Sequence, residues 1–293
     1  MLGGGSAFSG AFSRYDLAGL NRVDIGSPHG QSGMEGFDWV DGNTVIYASY
    51  AGPGRKNLYL ADIVAEPFSA SINTAWNPDG FKVTSATQRI RNVRVGDVYN
   101  GFAYYGDASV NANPNFYAIN LATGEETLLG NAGTLTGSGS FGLWTVMERG
   151  GYLYVQTTDN GIKVYNMNSA TSLGSLYATY TKAELDAVTG QPAVNQYYGL
   201  DVSPDGSKML LGGAIGRVWE FGQPILTVTQ SGTDIVLSWP SSIDAIVIQS
   251  TGDLSQGFLD LEPQPSIVPQ GKLNRATVSI GANDTFFRLR KTP

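Results

Sequence analysis

One histidine and no cysteine set narrow limits on the chemistry this chain can perform. Without a thiol there is no disulfide, no thiolate metal site and no cysteine nucleophile. With His29 alone, a two-histidine metal site is excluded, and a Ser-His-Asp triad would have to use that residue as its base. His29 lies in Ser27-Pro28-His29-Gly30-Gln31-Ser32-Gly33, which reads as a surface connector leading into a strand. Gly137-Ser138-Gly139-Ser140-Phe141-Gly142 fits the letters of a dinucleotide fingerprint, but Leu143-Trp144-Thr145-Val146 after it reads as a strand. That fingerprint seats a pyrophosphate on a helix N-terminus, so a plain Gly/Ser loop is expected instead. No metalloprotease, P-loop, kinase or nucleophile-elbow motif occurs. What remains is the chemistry of carboxylates, amides and guanidinium groups, with 25 Asp and Glu against 18 Lys and Arg.

Groups of this kind act only when the fold gathers them, and the elements available to do so are strands. Aromatic and β-branched runs recur between turn residues, as in Thr44-Val45-Ile46-Tyr47-Ala48-Ser49-Tyr50, Gly101-Phe102-Ala103-Tyr104-Tyr105 and Tyr152-Leu153-Tyr154-Val155-Gln156-Thr157. They read as half-buried strands. One segment, Lys182 to Val188, reads as a short helix, opened by the capping box Thr181-x-x-Glu184 and followed by Gly190. The chain is nearly all β.

With 42% hydrophobic and 15% charged residues, the chain is too apolar for disorder and too uncharged for a coiled coil. Its net charge of −7, without a Lys/Arg cluster, gives no footprint for nucleic acid. No apolar run approaches the length of about 20 residues that a bilayer span needs. The N-terminal residues show neither a charged n-region nor an apolar h-region, so no signal peptide is visible. The length of 293 residues allows about two domains, and a monomer is expected.

A repeat emerges when the strands are aligned. Each unit opens with a strand: Gly36 to Gly42, Val93 to Tyr99, Gly142 to Val146, and Tyr198 to Val202. An aromatic or aliphatic strand follows, then a third whose aromatic residues Tyr59, Tyr117, Tyr165 and Trp219 lie 58, 48 and 54 residues apart. That spacing is close to the period of about 40–50 for four-stranded propeller blades. Near the N-terminus, Tyr15 to Gly26 aligns without a gap with Ile119 to Gly130, sharing Leu17/Leu121, Ala18/Ala122 and Gly26/Gly130. Tyr15–Gly26 is therefore expected to supply outer-blade strands that pair with Gly216–Phe221 and close the ring. The resulting expectation is an all-β chain, with a four- or five-bladed β-propeller over residues 1–222.

Asp201-Val202-Ser203-Pro204-Asp205-Gly206-Ser207-Lys208 resembles the Ser-Pro-Asp-Gly turn of WD40-like, TolB-like and lactonase-type propellers, and Asn77-Pro78-Asp79-Gly80 is a weaker version of it. In such folds the first strand of each blade lines a central channel. The repeat then places Glu35, Asp38, Asn92, Arg94, Trp144, Tyr198 and Asp201 there as candidate ligand-binding residues. Oxygen donors converging in the channel would suit calcium, which takes six to eight of them. Gluconolactonase-type propellers bind a divalent cation in this position, and Glu35, Asn92 and Asp201 match that donor set in type. The resemblance implies a metal-dependent hydrolase, whereas Trp144 stands where it would require an amide or an acid. The aromatic residues Tyr104, Tyr105, Tyr197, Tyr198 and Trp144 would alternatively form a carbohydrate platform or fill the core.

After Gly222-Gln223-Pro224 the pattern changes to short alternating strands around Trp239, which suits a small β-sandwich over residues 225–293. Leu237-Ser238-Trp239-Pro240, Gln249-Ser250-Thr251-x-x-Leu254 and Phe286-Phe287-Arg288-Leu289-Arg290-Lys291 resemble the C-terminal fibronectin-III-like module of secreted proteins from verrucomicrobial and related bacteria. The resemblance implies export to the cell surface or beyond. The function expected is recognition of a glycan, protein or small-molecule ligand on the channel face, and the alternative is a calcium-dependent hydrolase of the lactonase type. Burial of Trp239 with Ile246 or Ile248 and one of Phe286 and Phe287 is also expected, because adjacent strand residues point to opposite faces.

Overall fold

The computed structural model describes residues 2–4, 11–15, 22–30, 34–49, 56–87, 89–108, 113–135, 142–159, 161–189, 197–203, 208–213, 218–222, 227–240, 246–253, 257–270, 273–279 and 285–291. Within them the chain is all-β and runs as successive antiparallel meanders. The first sheet contains β1 (Leu2–Gly4), β2 (Ala11–Tyr15) and β3 (Arg22–Gly26). The second contains β4 (Met34–Trp39), β5 (Thr44–Ser49), β6 (Asn57–Val64) and β7 (Ser69–Ile72), with β8 (Phe81–Val83) added beside β6. The third runs β9 (Ile90–Val95), β10 (Phe102–Asp107), β11 (Asn115–Asn120) and β12 (Glu126–Asn131). The fourth runs β13 (Leu143–Arg149), β14 (Tyr152–Thr157), β15 (Ile162–Ser169) and β16 (Ser172–Tyr180), followed by α1 (Lys182–Thr189). The fifth is β17 (Tyr197–Val202), β18 (Lys208–Gly213) and β19 (Val218–Gly222).

The sheets stack in chain order, and alternation along each strand shows how. Ile46, Leu58 and Leu60 of the β4 sheet pack on Val93, Tyr105 and Ile119 of the β9 sheet. The next residues along, Tyr104, Phe116 and Ala118, pack on Leu143, Val146 and Val155 of the β13 sheet. Met147, Tyr154 and Ile162 continue against Leu200, Val202 and Leu211. Both faces of these sheets are thus buried, which is why β10 and β14 are apolar almost without interruption. The helix α1 starts at the expected capping box, where the Thr181 amide donates to Glu184 Oε2 (2.8 Å) and the Glu184 amide to Thr181 Oγ1 (3.3 Å).

The expected N-terminal closure is corrected. β3 pairs with β2, β2 with β1, and among the described residues β19 pairs only with β18. The first sheet instead sends the fully buried Phe12 edge-on against Tyr47 and Phe37 of its neighbour, with ring centroids 5.4 and 6.2 Å apart. A hairpin's resemblance to another hairpin specifies its own turn, whereas its outside partner depends on which apolar face is left to cover. Residues 16–21 and 204–207, including most of the Ser-Pro-Asp-Gly turn, lie outside the described residues, as do 136–141 of the Gly/Ser loop.

The remaining strands are β20 (Thr227–Ser231), β21 (Asp234–Pro240), β22 (Ile246–Thr251), β23 (Leu259–Asp260), β24 (Val268–Gln270), β25 (Leu273–Ser279) and β26 (Phe286–Lys291). They form two sheets, ordered β20-β21-β25-β24 and β23-β22-β26. These share one core: Trp239, fully buried, lies with Leu237, Ile246, Ile248 and Leu289, and Phe287 packs against them while Phe286 is 42% exposed. No described helix is long and apolar enough to cross a membrane. Trp239→Ala should cost roughly 3–5 kcal/mol. Calorimetry should then show the C-terminal transition lost and that of the preceding sheets nearly unmoved; joint collapse would contradict two separate cores.

Candidate functional site

The first strands of the four successive sheets, β4, β9, β13 and β17, lie against one another in order. Each contains one extra residue relative to its neighbour in the sheet. Between Met34 and Phe37, between Arg91 and Arg94, between Leu143 and Thr145, and between Tyr197 and Gly199, the first strand advances one residue more than the second. These are β-bulges, and bulges re-aim side chains. They fall at Glu35, Asn92, Trp144 and Tyr198, four of the residues the repeat singled out. The Tyr198 side chain lies outside the described residues.

The bulges touch one another. Asn92 takes a left-handed conformation (φ 38°), and its Nδ2 donates to the Trp144 carbonyl (3.0 Å). Gly36, at φ 128°, is the complement: a Cβ there would lie 2.6 Å from Asn92 Oδ1 and 3.0 Å from its Cα. Only glycine fits, for both reasons.

Around these bulges the charged groups form a lattice. Glu35, on β4, is paired with both Arg89 and Arg91, the latter at 2.8 Å from its Nε, and all three side chains are at most 13% exposed. The Arg91 guanidinium also lies over the Trp144 ring, 4.0 Å from its centroid, a cation–π contact. Asp38 accepts from the Val95 amide (2.8 Å) and the Trp39 amide (2.9 Å). Burial pushes the Asp38 carboxyl above the usual carboxylate range; the Asp201 charge adds to this, and the Val95 amide and Arg94 charge oppose it. Arg149 pairs with Asp97 and reaches Asp201 at 3.9 Å. The Asp38 carboxyl thus feels charges from two other sheets, Arg94 and Asp201.

All the predicted residues thus stand on the first strands, and each of the three proposed calcium donors has a partner of its own. Glu35 is held by two guanidinium groups, Asn92 is turned to backbone and to Gly36, and Asp201 shares Arg149. Among the described residues no trio of His, Asp and Glu is arranged to hold a metal. Arg89, Arg91, Asp97 and Arg149 were missed from sequence. Arg89 and Arg91 carried the signal of two charges at strand spacing, but strict alternation sets Arg91 and Arg94 on opposite faces, and the bulge between them is what departs from it. Of the two readings of the aromatic residues, core filling holds for Tyr104, Tyr105 and Tyr197, which are fully buried.

His29 is not a free surface group. Its Nδ1 lies 2.6 Å from the hydroxyl of the buried Tyr47, which also meets Ser27 Oγ at 2.8 Å. Its Nε2 faces the backbone of Asp79 and Gly80 in the Asn77-Pro78-Asp79-Gly80 turn. Burial holds the imidazole below its ordinary value of 6.5, with those backbone groups opposing.

No protein-family model matches the chain, and no curated protein is significantly similar to it. Solved structures similar to it include a chain of the mitotic checkpoint complex, at 14% identity and a TM-score of 0.47 over 73% of this chain and 58% of that one. A putative 6-phosphogluconolactonase from Bacteroides fragilis gives 11% identity and 0.45, over 91% and 67% of the two chains. Another from Bacteroides uniformis gives 13% and 0.43, over 97% and 83%. At these scores none of them bears on what this chain does.

Glu35→Ala would strand two largely buried arginines and should destabilise the protein by roughly 3–5 kcal/mol in chemical denaturation. Added calcium should leave the melting temperature unchanged; a saturable rise would show these donors rearranging around the ion. The lowered His29 pKa sets the sign of a pH effect. The unfolded chain takes up a proton near pH 6.5 that the native state refuses, so this contribution is complete above that pH and is lost as pH falls. The melting temperature should therefore fall more steeply between about pH 7 and about pH 5 in the parent than in His29→Gln.

Proposed function

We propose that residues 1–222 form a small β-propeller, that residues 225–293 form a fibronectin-III-like β-sandwich, and that together they make an exported bacterial recognition protein. Its binding face is the row of bulged first strands, and its ligand carries charges of both signs, as a peptide segment or a charged glycan does. The meander sheets stacked in chain order support the propeller. The C-terminal motifs support export.

One observation carries the binding reading: on this face the carboxylates are held by guanidinium or amide partners in fixed places. Glu35 is clamped by Arg89 and Arg91, Asp38 by the Val95 and Trp39 amides, and Asp201 by the Val202 amide (2.9 Å) with Arg149 nearby. A hydrolytic centre needs a base free to take a proton from water. A fixed mosaic of alternating charge instead selects a partner by complementarity and rejects mismatched ones. The lactonase-type alternative would require calcium to displace two arginines from Glu35.

Two measurements test this reading. Lactone turnover should stay at background with or without calcium. A screen of immobilised peptides and charged glycans should yield ligands whose binding weakens with salt and is lost in Arg94→Ala. Calcium-dependent turnover, or a charged ligand indifferent to Arg94→Ala, would overturn the proposal.

A further inference from the structure

The chain contains its own control for a second site, because two of its units share a scaffold and differ in what is built on it. In the β4 sheet, Tyr47 and Tyr59 are cross-strand partners and stack with ring centroids 5.0 Å apart. In the β9 sheet, Tyr105 and Tyr117 are partners in the same register, 5.2 Å apart. Each residue of the second pair lies 58 positions after its counterpart, and Asn57 and Asn115 recur at the same offset.

What covers each pair is different. Over Tyr105 and Tyr117, the connector into β9 contributes Ala86, a small residue 1% exposed that fills the core. There the Tyr105 hydroxyl is buried and has no hydrogen-bond partner among the described residues. Over Tyr47 and Tyr59, the connector into β4 contributes the only histidine, which meets the Tyr47 hydroxyl and lies against Tyr59 with centroids 4.8 Å apart. Asn57 Nδ2 donates to the Tyr59 hydroxyl (3.2 Å).

Beside this cluster the β4 sheet carries an insertion that the other described sheets lack, the segment leading into β8. Its Pro78, Phe81 and Val83 wall a pocket of about 630 Å³ whose floor includes Tyr59. That volume is in the range of small-molecule sites. The polar groups at its lining are His29, Lys56, Asn57 and Asp79. Neither the Lys56 ammonium nor the Asp79 carboxylate is ion-paired among the described residues.

We propose that this pocket binds a neutral sugar ring, one or two units of a glycan, separately from the first-strand face. The charge pattern narrows the class to ligands without net charge, and the apolar wall beside it favours a ring over a zwitterion. An anionic ligand would meet Asp79, a cationic one would meet Lys56, and a hydrocarbon would use neither. A neutral polyol uses both, since each hydroxyl donates and accepts. The aliphatic and aromatic wall around Phe81 supplies the apolar surface that the face of a sugar ring requires.

The test is calorimetric titration of the full chain with neutral hexoses, N-acetylhexosamines and their disaccharides, alongside Phe81→Ala and Asp79→Asn. Saturable binding is expected for at least one sugar, weakened about tenfold or more by each substitution. Asp79 is exposed and its side chain holds no other element among the described residues, so Asp79→Asn keeps the fold if Phe81→Ala lowers the melting temperature. No saturable binding across the panel, or binding that either variant leaves unchanged, overturns the proposal. The first-strand reading rests on a charged ligand and Arg94, so the two fail independently.

Discussion

One additional residue in each of the four strands β4, β9, β13 and β17 is the constraint on which the rest of this structure depends. A regular strand alternates its side chains strictly, so residues three apart point to opposite faces. The bulge at Asn92 cancels that rule locally and brings Arg91 and Arg94 to bear on the same region, one over Trp144 and the other beside Asp38. The same device at Glu35, Trp144 and Tyr198 lets neighbouring first strands approach until Gly36 lies against Asn92. Without the bulges, the apolar faces would still stack, but the charges would be divided between the two sides of each sheet.

The stacked sheets are also tied by carboxylates that accept backbone amides. Buried Glu148 of β13 takes the Val98 amide from the preceding sheet (3.1 Å) and the Gly151 amide (2.7 Å). Asp38 of β4 takes Val95 of the following one, and buried Asp107 takes the Thr87 and Asn115 amides at 2.7 and 3.1 Å. A buried carboxylate is tolerated only when donors replace its water. Here the donors come from loops and strand ends that the apolar core leaves open, so the bonds satisfy the charge and, at Glu148 and Asp38, also join one sheet to the next.

Much of the architecture was legible in the sequence. The aromatic spacing located the units, the capping box located α1, and the alternation around Trp239 required one of Phe286 and Phe287 to face inward, which Phe287 does. The candidate residues were found because the repeat marks where first strands begin. Their chemistry was not legible, since the donors that occupy Glu35 come from Arg89 and Arg91 and depend on a bulge with no distinct signature beyond an asparagine able to adopt positive φ. The outer pairing at the N-terminus was misread for a related reason. Phe12 is committed to Tyr47 across a sheet boundary, and nothing local in the sequence records that contact.

The insertion in the β4 sheet has a consequence for how this protein can change over generations. β8 pairs with only the first residues of β6, Asn57 to Tyr59. Its approach is anchored at both flanks to the next sheet, by Trp76 Nε1 donating to the Leu121 carbonyl (2.7 Å) and by Lys82 donating to the Gly124 carbonyl. Between those anchors, Pro78 to Phe81 carries no contact on which the charged lattice relies. Substitutions there can reshape the pocket beside Tyr59 while the charged lattice of the first strands is left intact, so this corner can vary without a new fold.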